Sequence, residues 1–139
     1  ELYAERFINA NRDRFNYLVD EASMFVKETA SHFKEENLII SFSGGKDSTV
    51  TADVVTKALA DPSLVHIFGN TTLEFPTTID YAERFRKEHP RAIFQIAKNN
   101  EQNFLDMADT IGPPARMMRW CCSMFKTGPI TRVLNNRVS

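Results

Sequence analysis

Cysteine is scarce in this sequence and badly placed for cross-linking. The 139 residues contain two, Cys121 and Cys122, and they are neighbours. A bond between adjacent cysteines is strained and closes no useful loop, so a disulfide-stapled secreted scaffold is excluded. An excess of either charge is lacking too. The 17 Lys and Arg against 18 Asp and Glu leave a formal charge of −1, which gives no general pull on nucleic acid or an anionic membrane. Any attraction for anions must come from local groups. No apolar run approaches the ~20 residues that span a bilayer. The start, Glu1-Leu2-Tyr3-Ala4-Glu5-Arg6, has no signal-peptide pattern, so the expected location is cytoplasmic, away from membranes. No internal repeat, linker or low-complexity tract interrupts the chain.

What is present is the balance of an ordinary soluble protein, with 42% hydrophobic and 25% charged residues. The length fits one domain, enough to bury roughly 68–70% of the unfolded chain's surface. The first third reads as helix. Phe15, Leu18, Val19, Ala22, Phe25, Val26, Ala30 and Phe33 recur at i, i+3, i+4, i+7 spacing. Arg12, Arg14, Asp20, Lys27 and Glu28 fall largely between them. That is a long amphipathic helix whose single stripe is expected to pack onto a sheet.

Asn37-Leu38-Ile39-Ile40-Ser41-Phe42-Ser43 follows, a short apolar run between Glu35-Glu36 and Gly44-Gly45. Its length and its β-branched and aromatic content predict a buried parallel strand. Residues 47–60 return to helical spacing through Val50, Val54, Val55, Ala58 and Leu59, and Asp61-Pro62 stops them. Leu64–Gly69 reads as a second strand, and Pro76 sits where a first helical residue would. Ile79, Ala82 and Phe85 give that helix an apolar side, and Pro90 ends it. Ala92–Ile96 is a third strand, and Phe104, Leu105, Met107 and Ala108 suggest a short helix. The tail from Gly112 begins as a Pro-rich loop and becomes helical around Cys121.

Such alternation implies right-handed crossovers and a parallel sheet. The expected fold is therefore α/β: a Rossmann-like three-layer α/β/α domain over residues 37–139, preceded by a helical segment over residues 1–36. Ligands bind such sheets beyond the carboxyl ends of the strands. Three loops lie there, 43–48, 69–75 and 97–103.

The first carries the strongest signal. Ser43-Gly44-Gly45-Lys46-Asp47-Ser48 joins a strand to a helix. Adjacent glycines allow positive φ and close approach of a ligand to the backbone. The N–H groups of a first helical turn have no internal partner, and with the helix dipole they attract anions. Ser43 and Ser48 add hydroxyls and Lys46 a positive charge. The alternative is a plain Gly-Gly turn. This is not a Walker A loop, because Ile40 stands five residues before Gly45 and Asp47 follows Lys46.

The segment resembles the PP-loop, Ser-Gly-Gly-x-Asp-Ser, of the N-type ATP pyrophosphatase superfamily. Within that superfamily the chain resembles the phosphoadenosine phosphosulfate (PAPS) reductase family. That family usually continues after its second strand with Asp-Thr-Gly and then Phe-Pro. Here the stretch is Asn70-Thr71-Thr72-Leu73-Glu74-Phe75-Pro76, matching Phe-Pro but departing at Asn70 and Thr72. The family's Arg-Trp-Cys-Cys block, followed by Lys and Pro, appears as Arg119-Trp120-Cys121-Cys122, Lys126 and Pro129. The resemblance covers roughly residues 37 to 134. It implies that Asn70 and Thr71 join the loop in holding an adenine nucleotide: PAPS, its 5′-phosphosulfate relative APS, or ATP.

Arg116, Arg119 and Lys126 lie close in sequence to the cysteines. Guanidinium forks suit bidentate binding of phosphate or sulfate, and the alternative is a solvated basic helix end. Cys121 and Cys122 could be buried small hydrophobes. The resemblance instead implies half of a [4Fe–4S] site, which takes four thiolates. Cluster-bearing members add a later Cys-x-x-Cys, and the reductases a nucleophilic cysteine near their C-terminus; both would lie beyond Ser139. This chain is therefore expected to be the nucleotide-binding part of a longer protein. His32, His66 and His89 have no ligand spacing. Met107, Met117, Met118 and Met124 are expected to serve packing.

Three functions follow from the resemblance. The first is a sulfonucleotide reductase, with a thioredoxin-like reductant as partner. The second is an ATP pyrophosphatase that adenylates a substrate in DNA or RNA sulfur modification, with Mg²⁺ on the ATP phosphates. The third is a non-catalytic nucleotide-sensing module.

Overall fold

The computed structural model describes residues 2–138, so Glu1 and Ser139, the outer bounds of the two expected segments, lie outside the described residues. Helices α1 (Leu2–Ala10) and α2 (Arg12–Ala30) come first. A short 3-10 turn, Glu35–Asn37, then leads into β1 (Ile39–Phe42), α3 (Lys46–Leu59), β2 (Val65–Asn70), α4 (Pro76–Glu88) and β3 (Ile93–Lys98). The three strands are parallel in the order β1-β2-β3, with Ile39 level with Val65 and Val65 level with Ile93. The chain continues through α5 (Phe104–Ile111), a short α6 (Trp120–Cys122), a π-helical turn (Ser123–Thr127) and α7 (Gly128–Val138).

Each side chain's sheet face follows from the period of two along a strand. Ile40, Phe42 and Phe68 pack with Ala52 of α3 and with Ala82 and Phe85 of α4. Val65, Ile67 and Ala97 face the other way, onto Ile130, Val133 and Leu134 of α7. The sheet is thus covered on both faces, which explains why its strands read as apolar runs rather than as alternating ones. Phe42 is the hub of the first layer. Its ring centroid lies 4.4 Å from Phe85, 5.7 Å from Phe94 and 6.4 Å from both Phe68 and Tyr81. As the last residue of β1, it anchors the loop that begins at Ser43.

The N-terminal helix differs from expectation in two ways. It is broken at Asn11, where φ −113° and ψ 11° interrupt the helical geometry. Its stripe lies along α3 more than on the sheet, and none of its described residues is buried. Phe25 and Phe33 remain 68% and 60% exposed. A cleft of about 320 Å³ separates Phe25, Val26 and Phe33 from Leu38, Ile40, Val55 and Leu59. The chain's accessible surface is 10369 Å², against roughly 7400 Å² for a compact monomer of this mass, and the uncovered stripe is part of that difference.

One buried histidine has its pKa displaced by its surroundings. His66, on β2, is 2% exposed. Its Nδ1 is 2.9 Å from the Leu64 carbonyl, and its ring packs beside those of Phe85 and Phe94, with centroids 5.8 and 6.3 Å away. Burial lowers its pKa below the ordinary histidine value, and nearby His89 acts in the same direction against the Leu64 hydrogen bond. A histidine whose folded pKa is depressed holds its full stabilising contribution above its unfolded pKa, roughly 6.5. That contribution is lost as pH falls through the folded value. Urea unfolding should therefore show stability level from pH 8 to 7 and falling below pH 6.5. A His66→Gln variant should show less of that fall; an identical slope would assign it to other groups.

Candidate functional site

The expected loop residues stand at the carboxyl end of β1. Gly44 adopts φ +74°, in the left-handed region where a side chain is strained. A Cβ there would also come within 3.1 Å of Thr78 Cγ2 on α4. Gly45 is the residue preceding α3, and no side chain caps the helix. The orphan N–H groups of its first turn are thus left for another acceptor. Around them, Ser43 Oγ donates to Ser48 Oγ at 3.1 Å, and Ser48 Oγ donates to the Gly45 carbonyl at 3.0 Å. Thr49 Oγ1 donates to the same carbonyl at 2.9 Å and lies 3.0 Å from Tyr81 Oη on α4. The first turn of α3 is therefore tied to α4 through Tyr81, a residue that carried no sequence signal because it sits inside an ordinary helical pattern.

Lys46 Nζ lies 2.5 Å from Asp47 Oδ1, with both side chains almost fully exposed. Such a pair is worth about 0–1 kcal/mol, little enough for an incoming phosphate to displace it.

Asn70 and Thr71 stand at the carboxyl end of β2, next to the loop. Both are spent partly on local structure. Asn70 Oδ1 accepts from Thr72 N at 2.9 Å, and Thr71 Oγ1 donates to Glu74 Oε1 at 2.8 Å. Thr72 adopts φ +67°, uncommon for a β-branched residue.

The basic segment reaches the same edge from β3. Asn99, just after β3, donates from Nδ2 to the Met124 carbonyl at 3.3 Å. Phe104, Trp120 and Phe125 form a cluster with centroids 5.2–6.1 Å apart, and Phe125 is fully buried. Arg116, Arg119 and Lys126 are exposed, and among the described residues none of them joins an ion pair. The π-helical turn depends on Gly128, because a Cβ there would fall 2.6 Å from the Ser123 carbonyl oxygen. Met107 is buried as expected. Met117 and Met118 are not packing residues: they are 95% and 55% exposed. The backbone bonds between Ala115 and Met118 tighten this loop into a turn that projects outward.

Cys121 and Cys122 are free and half-buried. No cluster of three or more His, Cys, Asp or Glu residues suited to a metal occurs among the described residues. Two thiolates are half of the set a [4Fe–4S] cluster takes, so the residues present do not by themselves fit that group. Among the described residues, no helix is long and apolar enough to cross a membrane.

A parallel sheet covered on both faces, with a Gly-Gly loop opening an uncapped helix at its carboxyl edge, defines a Rossmann-like α/β domain of the kind that takes phosphorylated ligands there. Residues 37–138 match the family profile of the phosphoadenosine phosphosulfate reductase domain, and the chain belongs to that family. Two uncharacterised proteins of Methanocaldococcus jannaschii are similar to it. One is 33% identical over 132 residues, 94% of this chain and 31% of the relative. The other is 31% identical over 127 residues, 91% of this chain and 25% of the relative. The chain thus spans about a third or less of these relatives. A phosphoadenylyl-sulfate (PAPS) reductase from Candida auris, solved as a phosphate complex, has a similar fold. Its TM-score is 0.51 at 16% identity, covering 84% of this chain and 63% of that one.

Proposed function

We propose that this chain is the nucleotide-binding domain of a sulfonucleotide reductase, taking PAPS or APS. The observation that supports it most is the uncapped start of α3 behind Gly44, which leaves oriented N–H groups at the carboxyl edge of the sheet. The loop would hold the anionic groups of the nucleotide. Arg116, Arg119 and Lys126 would meet the far end, where sulfate projects, as charge-assisted donors. Binding would fix the sulfur for attack, which is the orientation part of catalysis. In the reaction, a thiolate attacks that sulfur and the bond from sulfur to the phosphate oxygen breaks. The nucleoside phosphate leaves and an S-sulfonated cysteine remains. A second thiol then forms a disulfide with it and releases sulfite, and a thioredoxin-like dithiol restores both thiols.

A second reading is an ATP pyrophosphatase that adenylates a substrate. It is favoured by Asn70 and Thr72, which stand where the reductases usually have Asp and Gly. Mg²⁺ would then arrive on the ATP phosphates. Product analysis on the full-length protein separates the two. The reductase reading expects sulfite from PAPS or APS with a dithiol, and no pyrophosphate from ATP. Pyrophosphate from ATP without sulfite would overturn it in favour of the second, and tight binding without turnover would point to a sensing module.

A further inference from the structure

Thr72 links parts of the site that the sequence leaves separate. Its backbone is held at φ +67°, a conformation that β-branched residues avoid and that persists only where the surroundings over-determine it. Two hydrogen bonds do so here. Thr72 N donates to Asn70 Oδ1 at 2.9 Å, and Thr72 Oγ1 accepts from Phe104 N at 2.8 Å. Phe104 opens α5, so its N–H has no partner within its own helix. The Phe104 ring packs on Trp120 at 5.2 Å and on Phe125 at 6.0 Å. Trp120 is held in turn by its Nε1–H, which donates to the Gly112 carbonyl at 3.2 Å. One continuous path therefore runs from the β2–α4 loop, beside the glycine loop, to the residues flanking Arg119 and Lys126.

We propose that Thr72 is a positioning residue: through the Phe104 N–H it couples the nucleotide loops to the basic segment, so that a nucleotide bound at one is registered at the other. This inference rests on the proposed nucleotide site. Trp120 is the single tryptophan, so its emission reports on the basic segment alone.

The test titrates ATP and PAPS into the wild-type chain and three variants, following calorimetry and Trp120 fluorescence together. Wild type should bind with a change in Trp120 emission. Thr72→Ser keeps the hydroxyl and should match it within about 2-fold. Thr72→Val keeps the shape and loses the acceptor. It should bind about 3- to 10-fold more weakly, the scale of one neutral hydrogen bond, with a reduced emission change. Thr72→Gly removes the hydroxyl and relieves the backbone strain together, so it should fold and show the same loss as valine even if valine does not fold. A folded valine or glycine variant with wild-type affinity and emission change would overturn the inference, as would bound nucleotide that leaves wild-type Trp120 unmoved. Failure of wild type to bind either nucleotide by calorimetry would instead overturn the nucleotide site itself, and this inference with it.

Discussion

Gly45→Val is expected to weaken PAPS and ATP by about 100-fold or more while leaving the domain folded. The two glycines of the loop are not equivalent, and the difference makes the experiment informative. Gly44 has φ +74° and would place a Cβ 3.1 Å from Thr78 Cγ2, so any substitution there damages the fold and confuses the result. Gly45 has φ −89° and ψ 168°, extended backbone open to any residue. A Cβ on it would meet only Ser43 Oγ, at 3.6 Å. Valine is a poorer residue than glycine at a helix start, at a cost of about 1 kcal/mol or less. That shifts the melting temperature by a few degrees. Its branched side chain would, however, stand between the α3 N–H groups and a phosphate. Losing two charge-assisted hydrogen bonds, at about 1.5–3 kcal/mol each, exceeds 100-fold in affinity. Calorimetry beside a thermal melt reads both quantities. A folded variant with wild-type affinity would remove the loop from the binding site.

The second large effect belongs to the basic segment. Arg119→Ala and Lys126→Ala should each weaken PAPS and ATP by about 10- to 150-fold, the worth of one charge-assisted contact. Adenosine, which lacks the anionic end, should change little. Both side chains are exposed, and among the described residues neither joins an ion pair, so their removal costs the fold little. Equal losses for adenosine and for the phosphorylated ligands would mean that these residues only support the structure.

The sheet was legible because each strand is an apolar run between turn-forming or charged residues, and because Pro76 marks the start of α4. The long N-terminal helix was legible as periodicity, but its break at Asn11 was not. Helical spacing continues on both sides, and asparagine is a weaker interruption than proline or glycine. The same periodicity says which side of α2 is apolar, not what lies against it, and the stripe came to rest along α3 with much of it uncovered. At the site, Ser43 to Ser48 stood out because glycine, serine and lysine coincide between a strand and a helix. The bracing residues Thr72 and Tyr81 did not. Their roles depend on contacts 32 residues away in sequence, as with Thr72 and Phe104 or Thr49 and Tyr81, and no local pattern encodes such pairings. Gly128 was also silent, since its need comes from the width of the π-helical turn rather than from the glycine spacing of a familiar loop.

The central claim is that the Ser43–Ser48 loop is an anion-selective nucleotide site. Calorimetric titration of the wild-type chain with PAPS, ATP and adenosine at a single ionic strength tests it most directly. The phosphorylated nucleotides should bind at least about 10-fold more tightly than adenosine, the scale of one charge-assisted contact, and Gly45→Val should sharply reduce that preference. Equal affinity for all three ligands, or none for any of them, would contradict it.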